Sequence, residues 1–280
     1  MSAQLASAYA YCDATLRVQA RDTWLACLFA PAHRRPHLHA LYLFADEMAH
    51  LRDKIAQPMA GEIRLQYWRD VVAGQGHGET LSNPLAAALL DTMDGCKLPR
   101  QPLLGLLDAR LFDVYDDPMP DLATLEGYCG ETESAIIRLA CLVLADGVDP
   151  GGVDAAGHAG VAIGITRILT GLPRTAARGQ VYVPGDVLQQ AGLAAADVLG
   201  RRDSPQMRTA LAGMRNLARS HRAKATAGMG LNAALIAPAF AGLPVAGLYL
   251  QRMEKRSYRP FAAVPEVPPW RRQWAMWRGN

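Results

Sequence analysis

The chain of 280 residues has little of several features that mark common protein classes. Its five cysteines include no Cys-x-x-Cys pair, which argues against a zinc module or a dithiol redox motif. The formal net charge of +3, from 29 basic and 26 acidic residues, gives no general attraction for nucleic acid. The first residues, from Met1 to Ala6, have neither the basic start nor the apolar run of a secretory signal. These absences predict a reduced, cytoplasmic protein that does not bind nucleic acid.

Strand-like alternation is also almost absent, and helical periodicity dominates the chain. Because no repeat, linker or low-complexity tract interrupts it, we expect one all-α domain over residues 1–269, followed by a basic, Trp-rich tail at 270–280. Functional sites of helical bundles lie between facing helices. Helices are expected at about Leu5–Arg21, Trp24–Phe29, Pro36–Ile55, Ala60–Val72, Asn83–Gly95, Pro102–Asp113, Asp121–Leu144, Asp154–Leu169, Asp186–Gln190, Pro205–Lys224, Leu231–Glu254 and Pro269–Trp277, with a turn-rich loop from Gly171 to Pro184.

One apolar stretch raises the question whether all helices belong to a folded domain or one of them crosses a membrane. No formally charged residue lies between Lys224 and Arg252, and Leu231–Leu250 is about as long as a membrane-spanning helix. Pro238 and Gly242 interrupt it, and such residues bend helices. The pattern therefore favours a bent, buried core helix, with a transmembrane span as the alternative.

Two helical segments carry the most specific pattern. The first runs from Ala40 to Asp53, and the second from Ile165 through Gly171 to Arg178–Pro184. Their framework resembles the squalene/phytoene synthase family, in which a Tyr-x-Phe-x-Arg run leads into Asp-Asp-x-x-Asp and a second run ends in Gly-Arg-x-Tyr-Leu-Pro. Weaker similarities at Ile63–Arg69 and Leu125–Cys129 extend the resemblance over nearly the whole chain. It implies a single-domain, isoprenoid-synthase-like helical bundle with a central cavity.

The chain departs from this family at its acidic positions. These are Ala49, His50 and Asp53 in the first motif, and Gly171 and Thr175 in the second, so only Asp53 keeps a carboxylate. The resemblance implies that Mg²⁺ should bridge such carboxylates to a prenyl diphosphate and stabilise the leaving group. Neutral side chains cannot do this. The sequence therefore predicts a retained fold with a disabled or altered reaction centre, no catalytic residues and no cofactor, with magnesium needed only if the chain is an active enzyme.

Asp46, His50 and Asp53 form what remains of the first motif, at spacings i, i+4 and i+7 that share one face of a continuous helix. One histidine and two carboxylates could make a substitute cation site. The favoured interpretation is a solvated helix face with a local ion pair.

The second motif offers arginines where the family has acids. Arg167, Arg174 and Arg178 would repel Mg²⁺ and attract an anion, such as a phosphate or a lipid head group. Arg174 and Arg178 are equally compatible with ordinary exposure in a polar loop, so both interpretations stay open.

Three tyrosines, Tyr42, Tyr128 and Tyr182, match aromatic positions of the family. The resemblance implies that they line the central cavity, although aromatic residues also pack helical bundles.

The degenerate pattern is most similar to a subgroup, the squalene/phytoene-synthase-like assembly factors of respiratory complex I. Phe44–Glu47, Arg64–Trp68 and Val181–Asp186 fit this subgroup better than an active synthase. The resemblance implies respiratory complex subunits or assembly factors as partners. Two alternatives remain: a prenyltransferase that condenses prenyl diphosphates head-to-head with an altered metal site, and a carrier of an isoprenoid or another lipid.

The tail places Trp270, Trp274 and Trp277 on one helical face with arginines around it. The favoured interpretation is that this stripe docks on the chain's own bundle. The alternative is peripheral contact with the inner membrane, because indole rings and arginines are typical of interfacial helices.

Overall fold

A computed structural model describes residues 2–76, 82–230 and 232–279 of the chain. Over these residues the regular elements are all helical, as the sequence predicts. The α-helices are α1 Ala3–Gln19, α2 Arg21–Cys27, α3 Arg35–Ala49, α4 Pro58–Ala73, α5 Pro84–Gly95, α6 Gln101–Tyr115, α7 Leu122–Cys129, α8 Ala135–Leu144, α9 Val153–Ala177, α10 Gly185–Gln190, α11 Ala195–Leu199, α12 Pro205–Ala227, α13 Ala233–Ile236, α14 Gly242–Arg252 and α15 Pro269–Gly279. Leu231, where one predicted helix begins, lies outside the described residues.

Two apolar clusters hold the bundle together. In the first, α1, α3, α5 and α8 pack around fully buried side chains such as Leu16, Leu41 and Phe44. In the second, α9 packs along α12 around Ile165 and Met207. The central helices α8 and α9 also contact each other, so they join the two clusters into one core.

The predicted long helix Asp121–Leu144 is present with one irregular turn. Residues Gly130–Ser134 form a π-helical turn between α7 and α8. Gly160 of α9 lies directly against this turn, where a Cβ would collide with the backbone of Ser134. A glycine is therefore needed for α9 to approach the turn closely.

Helix α9 continues to Ala177, so the prediction of a loop beginning at Gly171 is wrong at its start. The helix even contains Pro173, which removes one backbone hydrogen bond. Leu172 and Ala176 are 1% and 4% exposed and continue the buried face of the helix. The burial of these side chains offsets the lost hydrogen bond.

The apolar stretch before Arg252 is a broken, bent core element. It consists of α13, a 3₁₀ turn at Ala237–Phe240, and α14, with a bend of 48° between the two helical parts. By length and composition, this bent pair and α9 are the described segments that could cross a membrane. In α9, 61% of the apolar window is buried inside the protein, as in the core helix of a bundle.

Helix α15 docks on the bundle, but not through its tryptophans. Met276 is 2% exposed, and Arg272 Nε lies 2.7 Å from Asp22 on α2. Trp270, Trp274 and Trp277 are 67%, 55% and 59% exposed. The interpretation that the tryptophan stripe packs on the bundle is therefore wrong. Residues 272 and 276 are four apart and share the inner face, which turns the three indoles outward.

Candidate functional site

A cavity of about 340 Å³ opens between the central helices. Tyr42 and Asp46 line it from α3, Arg110 from α6, Glu133 from the π-helical turn and Arg167 from α9. The remaining wall is largely apolar and includes Ile136, Ile137, Ile163, Val245, Ala246 and Met276. The site thus combines an oily pocket with a small group of charged side chains.

Local backbone structure aims the charged groups at this cavity. Tyr42 and Asp46 are one helical turn apart on α3. The π-helical turn inserts one extra residue per turn and carries Glu133. Gly164 of α9 faces Cys129, where an added Cβ would lie 2.6 Å from the sulfur. This close approach brings Arg167, one turn further along α9, up to Glu133.

The first motif is divided between two elements. Helix α3 ends at Ala49, because His50 caps it with its ring Nδ1 2.9 Å from the carbonyl oxygen of Asp46. Asp53 lies beyond this cap in a 3₁₀ turn, Arg52–Lys54. The predicted continuous helix to Ile55 is therefore wrong, and Asp53 does not share a helical face with Asp46 and His50.

His50 and Asp46 form a local pair, with 3.4 Å between ring Nδ1 and carboxylate Oδ1. The side-chain hydrogen bond to Asp46 raises the pKa of His50 above its ordinary value, although partial burial opposes this shift. The interpretation favoured from the sequence was a solvated helix face with a local ion pair; the contact between His50 and Asp46 is a pair of this kind.

Asp53 is brought to the second motif instead. Its carboxylate accepts a hydrogen bond from Arg178, whose guanidinium also donates to Gln180 at 2.7 Å. The two motifs therefore meet through a direct ion pair between carboxylate and guanidinium.

The other two arginines of the second motif lie apart from this pair. Arg167 Nη1 donates to both oxygens of Glu133, at 2.7 and 2.9 Å. Arg174 is exposed on the surface of α9. The three arginines do not converge on one anion site, and two of them are engaged with carboxylates of the chain.

The three tyrosines occupy two different places. Tyr42 lies on the cavity wall, whereas Tyr128 and Tyr182 lie outside the cavity lining, around the carboxylate of Asp113. The hydroxyl of Tyr128 is 2.9 Å from one oxygen of Asp113 and accepts a hydrogen bond from Arg110 at 2.6 Å. Burial raises the pKa of Tyr128 and of Tyr182 well above the ordinary value, so both hydroxyls remain protonated donors.

Sequence reasoning missed three charged residues of this site: Arg110, Asp113 and Glu133. Arg110 and Asp113 are 7% and 4% exposed and stand one turn from each other on the apolar helix α6. Arg110 Nη1 lies 3.1 Å from Asp113 Oδ2. A charged pair at i and i+3 in an otherwise apolar segment was the available signal. For Glu133 the signal was the polar run Gly130–Ser134 between two apolar stretches.

A common feature of the cavity is that its carboxylates have basic partners. The acidic residues in its lining are Asp22, Asp46 and Glu133. Their partners are Arg272, His50 and Arg167 respectively. Glu133 also lies 3.9 Å from Arg110. The negative charges of Asp22 and Glu133 are thus compensated by arginines of the chain, and that of Asp46 is compensated when His50 is protonated.

Comparison with known proteins assigns this helical architecture to a family. The family model for squalene/phytoene synthase matches residues 16–278. The chain belongs to the squalene/phytoene synthase family. The crystal structure of squalene synthase HpnC from Alicyclobacillus acidocaldarius superposes with a TM-score of 0.77 at 22% identity, over 93% of this chain and 98% of that one. This likeness confirms the all-α isoprenoid-synthase fold.

The proteins similar to this chain include one named as an assembly factor and one named as a synthase. The chain is 31% identical over 199 residues to "NADH dehydrogenase (ubiquinone) complex I, assembly factor 6" of Rattus norvegicus, which is 71% of this chain and 59% of that protein. It is 27% identical over 176 residues to presqualene diphosphate synthase of Rhodopseudomonas palustris, covering 62% of each. The chain therefore spans about three fifths of the length of these relatives.

Membership of the family raises the question whether magnesium fits this cavity, and the donor set does not suit it. Mg²⁺ is usually held by one or two free carboxylates together with substrate phosphates. Here Asp53 is bound to Arg178 and Glu133 to Arg167, and these fixed cations would repel a divalent ion. Over residues 2–76, 82–230 and 232–279, no group of three or more His, Cys, Asp or Glu side chains is arranged to hold a metal.

Proposed function

We propose that this chain is a non-catalytic member of the squalene/phytoene synthase family that acts in the assembly of a membrane respiratory complex, namely complex I. The observation that carries the proposal is the replacement of metal-binding acids by internal ion pairs. Asp53, the one acid kept from the two motifs, is paired with Arg178. Similarity to complex I assembly factor 6 over 71% of the chain supports the assembly role.

The charges around the cavity support the proposed loss of prenyl transfer. A diphosphate leaving group needs divalent cations, held by protein carboxylates, to stabilise its developing charge. In this chain Arg178 and Arg167 already occupy the carboxylates that would hold such cations. Guanidinium groups tied to carboxylates leave little net positive charge to stabilise a diphosphate.

The proposed partners are subunits or assembly factors of the respiratory complex. The proposed location is the cytoplasm, with peripheral contact at the inner membrane through Trp270, Trp274 and Trp277. The exposure of all three indoles, from 55% to 67%, supports such contact.

A genetic experiment tests the assembly role. Deletion of the gene should reduce the amount of assembled complex I, measured by native gel electrophoresis and NADH oxidation. We expect rescue by the wild-type chain and by Asp46→Asn with Tyr42→Phe, which changes the polar wall of the cavity without filling it. A normal amount of complex I in the deletion strain would contradict the assembly role. If the double variant folds stably but fails to rescue while the wild-type chain rescues, the non-catalytic part of the proposal is contradicted.

A second candidate function is transport or storage of an isoprenoid or another lipid. It is favoured by the apolar wall of the cavity, formed by Ile136, Ile137, Ile163 and Val245 among others. Native mass spectrometry of the purified chain should then show a bound lipid. The variants Ala246→Phe and Ala45→Leu each place a larger side chain in the cavity and should reduce the fraction of the chain that carries a bound lipid.

The enzyme alternative, head-to-head condensation of prenyl diphosphates, would need magnesium held by Asp46, His50 and Asp53. Asp53 is paired with Arg178 and lies on a different element from the other two. Similarity to presqualene diphosphate synthase is what favours this alternative.

A further inference from the structure

The outer face of α15 continues onto neighbouring elements as an exposed apolar surface. Phe29 and Trp277 line one shallow groove together with Ala234, Ala237 and Pro238. Leu28 and Leu235, which adjoin this groove in the chain, are 39% and 42% exposed. We define the tryptophan surface as Trp270, Trp274, Trp277, Leu28, Phe29 and Leu235. The ring of Trp277 also lies 5.0 Å from that of Trp274, and a patch of exposed apolar groups marks a site of interaction.

The charge on α15 itself is of one sign. Helix α15 contains three arginines and no acidic residue. Arg272 is held inward by Asp22, whereas Arg271 and Arg278 are exposed. Indole rings flanked by arginines suit the boundary between lipid head groups and acyl chains, and the cations favour anionic lipids.

The inner face of the same helix belongs to the cavity. Met276 is buried and lies on the cavity wall with Val245 and Tyr249. Asp22, which holds Arg272, is also part of that wall. A helix with its side chains is about 10 Å across, so a single helix separates the tryptophan surface from the cavity.

We infer that the tryptophan surface docks on an anionic lipid bilayer and that α15 is the wall through which the cavity takes up a lipid tail from that bilayer. The docking step deepens the peripheral membrane contact proposed above, and the uptake step rests on the proposed lipid-binding function. The partner is a bilayer rather than a protein because three indoles and two free arginines lie along one short helix, without an acidic residue or a hydrogen-bonding edge.

Flotation of the purified full-length chain with vesicles tests the docking step. Binding to vesicles of equal parts phosphatidylglycerol and phosphatidylcholine should exceed binding to pure phosphatidylcholine, and added salt should weaken it. The Trp270→Ala, Trp274→Ala, Trp277→Ala variant should lose at least about tenfold in partitioning, since each indole contributes a large apolar contact. Its matched control replaces three exposed apolar residues elsewhere, Val18→Ala, Met59→Ala and Val148→Ala, and should bind like wild type.

The arginines separate electrostatic from apolar docking. Arg271→Gln with Arg278→Gln should lower partitioning onto anionic vesicles by about fivefold per arginine and leave neutral vesicles unaffected. Arg138→Gln with Arg201→Gln, two exposed arginines elsewhere, is the control. Equal binding by the tryptophan variant and wild type would overturn the inference, as would vesicle binding that does not depend on anionic lipid.

Lipid uptake has its own readout. Native mass spectrometry after incubation with the anionic vesicles should show a bound lipid for wild type and much less for the tryptophan variant. The Ala246→Phe variant should still float with vesicles but carry less lipid, because its larger side chain fills part of the cavity. The Ala45→Leu variant is a second choice for the same test. Vesicle binding without any bound lipid would refute uptake and leave docking standing. Vesicle binding together with normal complex I in the deletion strain would contradict the assembly role alone.

Discussion

At the scale of single residues, the contact between Arg178 and Asp53 links the two motifs. Both side chains are partly exposed, so their ion pair should stabilise the fold by about 1 kcal/mol or less. Arg178→Ala removes this ion pair and the hydrogen bond to the buried side chain of Gln180, so it should lower the free energy of unfolding by about 1–3 kcal/mol, measured by urea denaturation. Arg174→Ala, at an exposed position on the preceding turn of the helix, is the matched control and should have almost no effect.

A double-mutant cycle isolates the pair. The variant with both Arg178→Ala and Asp53→Ala should be less destabilised than the sum of the two single variants. Strict additivity would mean that the guanidinium and the carboxylate do not interact in solution.

The buried pair of Arg110 and Asp113 should matter more. Asp113→Ala removes the carboxylate that accepts hydrogen bonds from Arg110, Tyr128 and Tyr182, and leaves buried Arg110 with only the more distant carboxylate of Glu133. Breaking such a pair costs about 3–5 kcal/mol of unfolding free energy. Asp116→Asn, which weakens the more exposed pair with Arg52 and keeps a residue type that tolerates the left-handed backbone there, should cost about 1 kcal/mol or less. Equal effects of the two substitutions would contradict the buried hydrogen-bond network.

His50 gives a pH dependence with a definite sign. Because Asp46 raises its pKa in the folded state, the stabilising contribution is complete below the unfolded pKa of about 6.5 and is lost as pH rises through the folded value. The unfolding free energy of wild type relative to His50→Gln should therefore be greater at about pH 5 than at about pH 9. A constant difference across this range would show that the histidine and Asp46 are not coupled.

At the scale of elements, the contact between α9 and the π-helical turn positions Arg167 beside Glu133. Gly160→Ala places a Cβ into the backbone of Ser134 and should destabilise the fold by about 1–3 kcal/mol. Gly157→Ala on the same helix meets open space and should stabilise it by about 0.5–1 kcal/mol. Thermal or urea denaturation measures both changes, and a neutral Gly160→Ala would contradict the close approach.

Helix periodicity predicted most of the elements, and the errors have local causes. Periodicity could not show that α3 ends at Ala49, because the capping contact of His50 with Asp46 depends on a side-chain rotamer. It could not show that α9 continues through Pro173, because the stabilising burial of Leu172 and Ala176 comes from distant parts of the chain. The short helix α11, Ala195–Leu199, was not predicted.

The candidate site was harder to predict than the fold. The loss of family acids was visible at Ala49, Gly171 and Thr175, but the partner of each remaining acid was not. Arg178 follows Asp53 by 125 positions, and only the folded chain brings them together. The orientation of α15 was predicted wrongly, because the conspicuous tryptophan stripe was assigned to the inner face that Met276 occupies in the structure.

At the scale of the whole molecule, an isoprenoid-synthase bundle keeps its central cavity while the charges within it are paired with one another. The cavity acids Asp22, Asp46 and Glu133 face Arg272, His50 and Arg167. Family membership alone does not establish prenyl transfer, because function depends on the site rather than the fold. The arrangement is consistent with a scaffold that binds partners or a lipid.

Diphosphate release from farnesyl and geranylgeranyl diphosphate, with Mg²⁺ or Mn²⁺ present, tests the central claim most directly. A presqualene diphosphate synthase assayed in parallel provides the reference rate. We expect no release above the protein-free background, and no metal-dependent increase. Release at an enzymatic rate, on the order of 1 s⁻¹ or faster, would contradict the account.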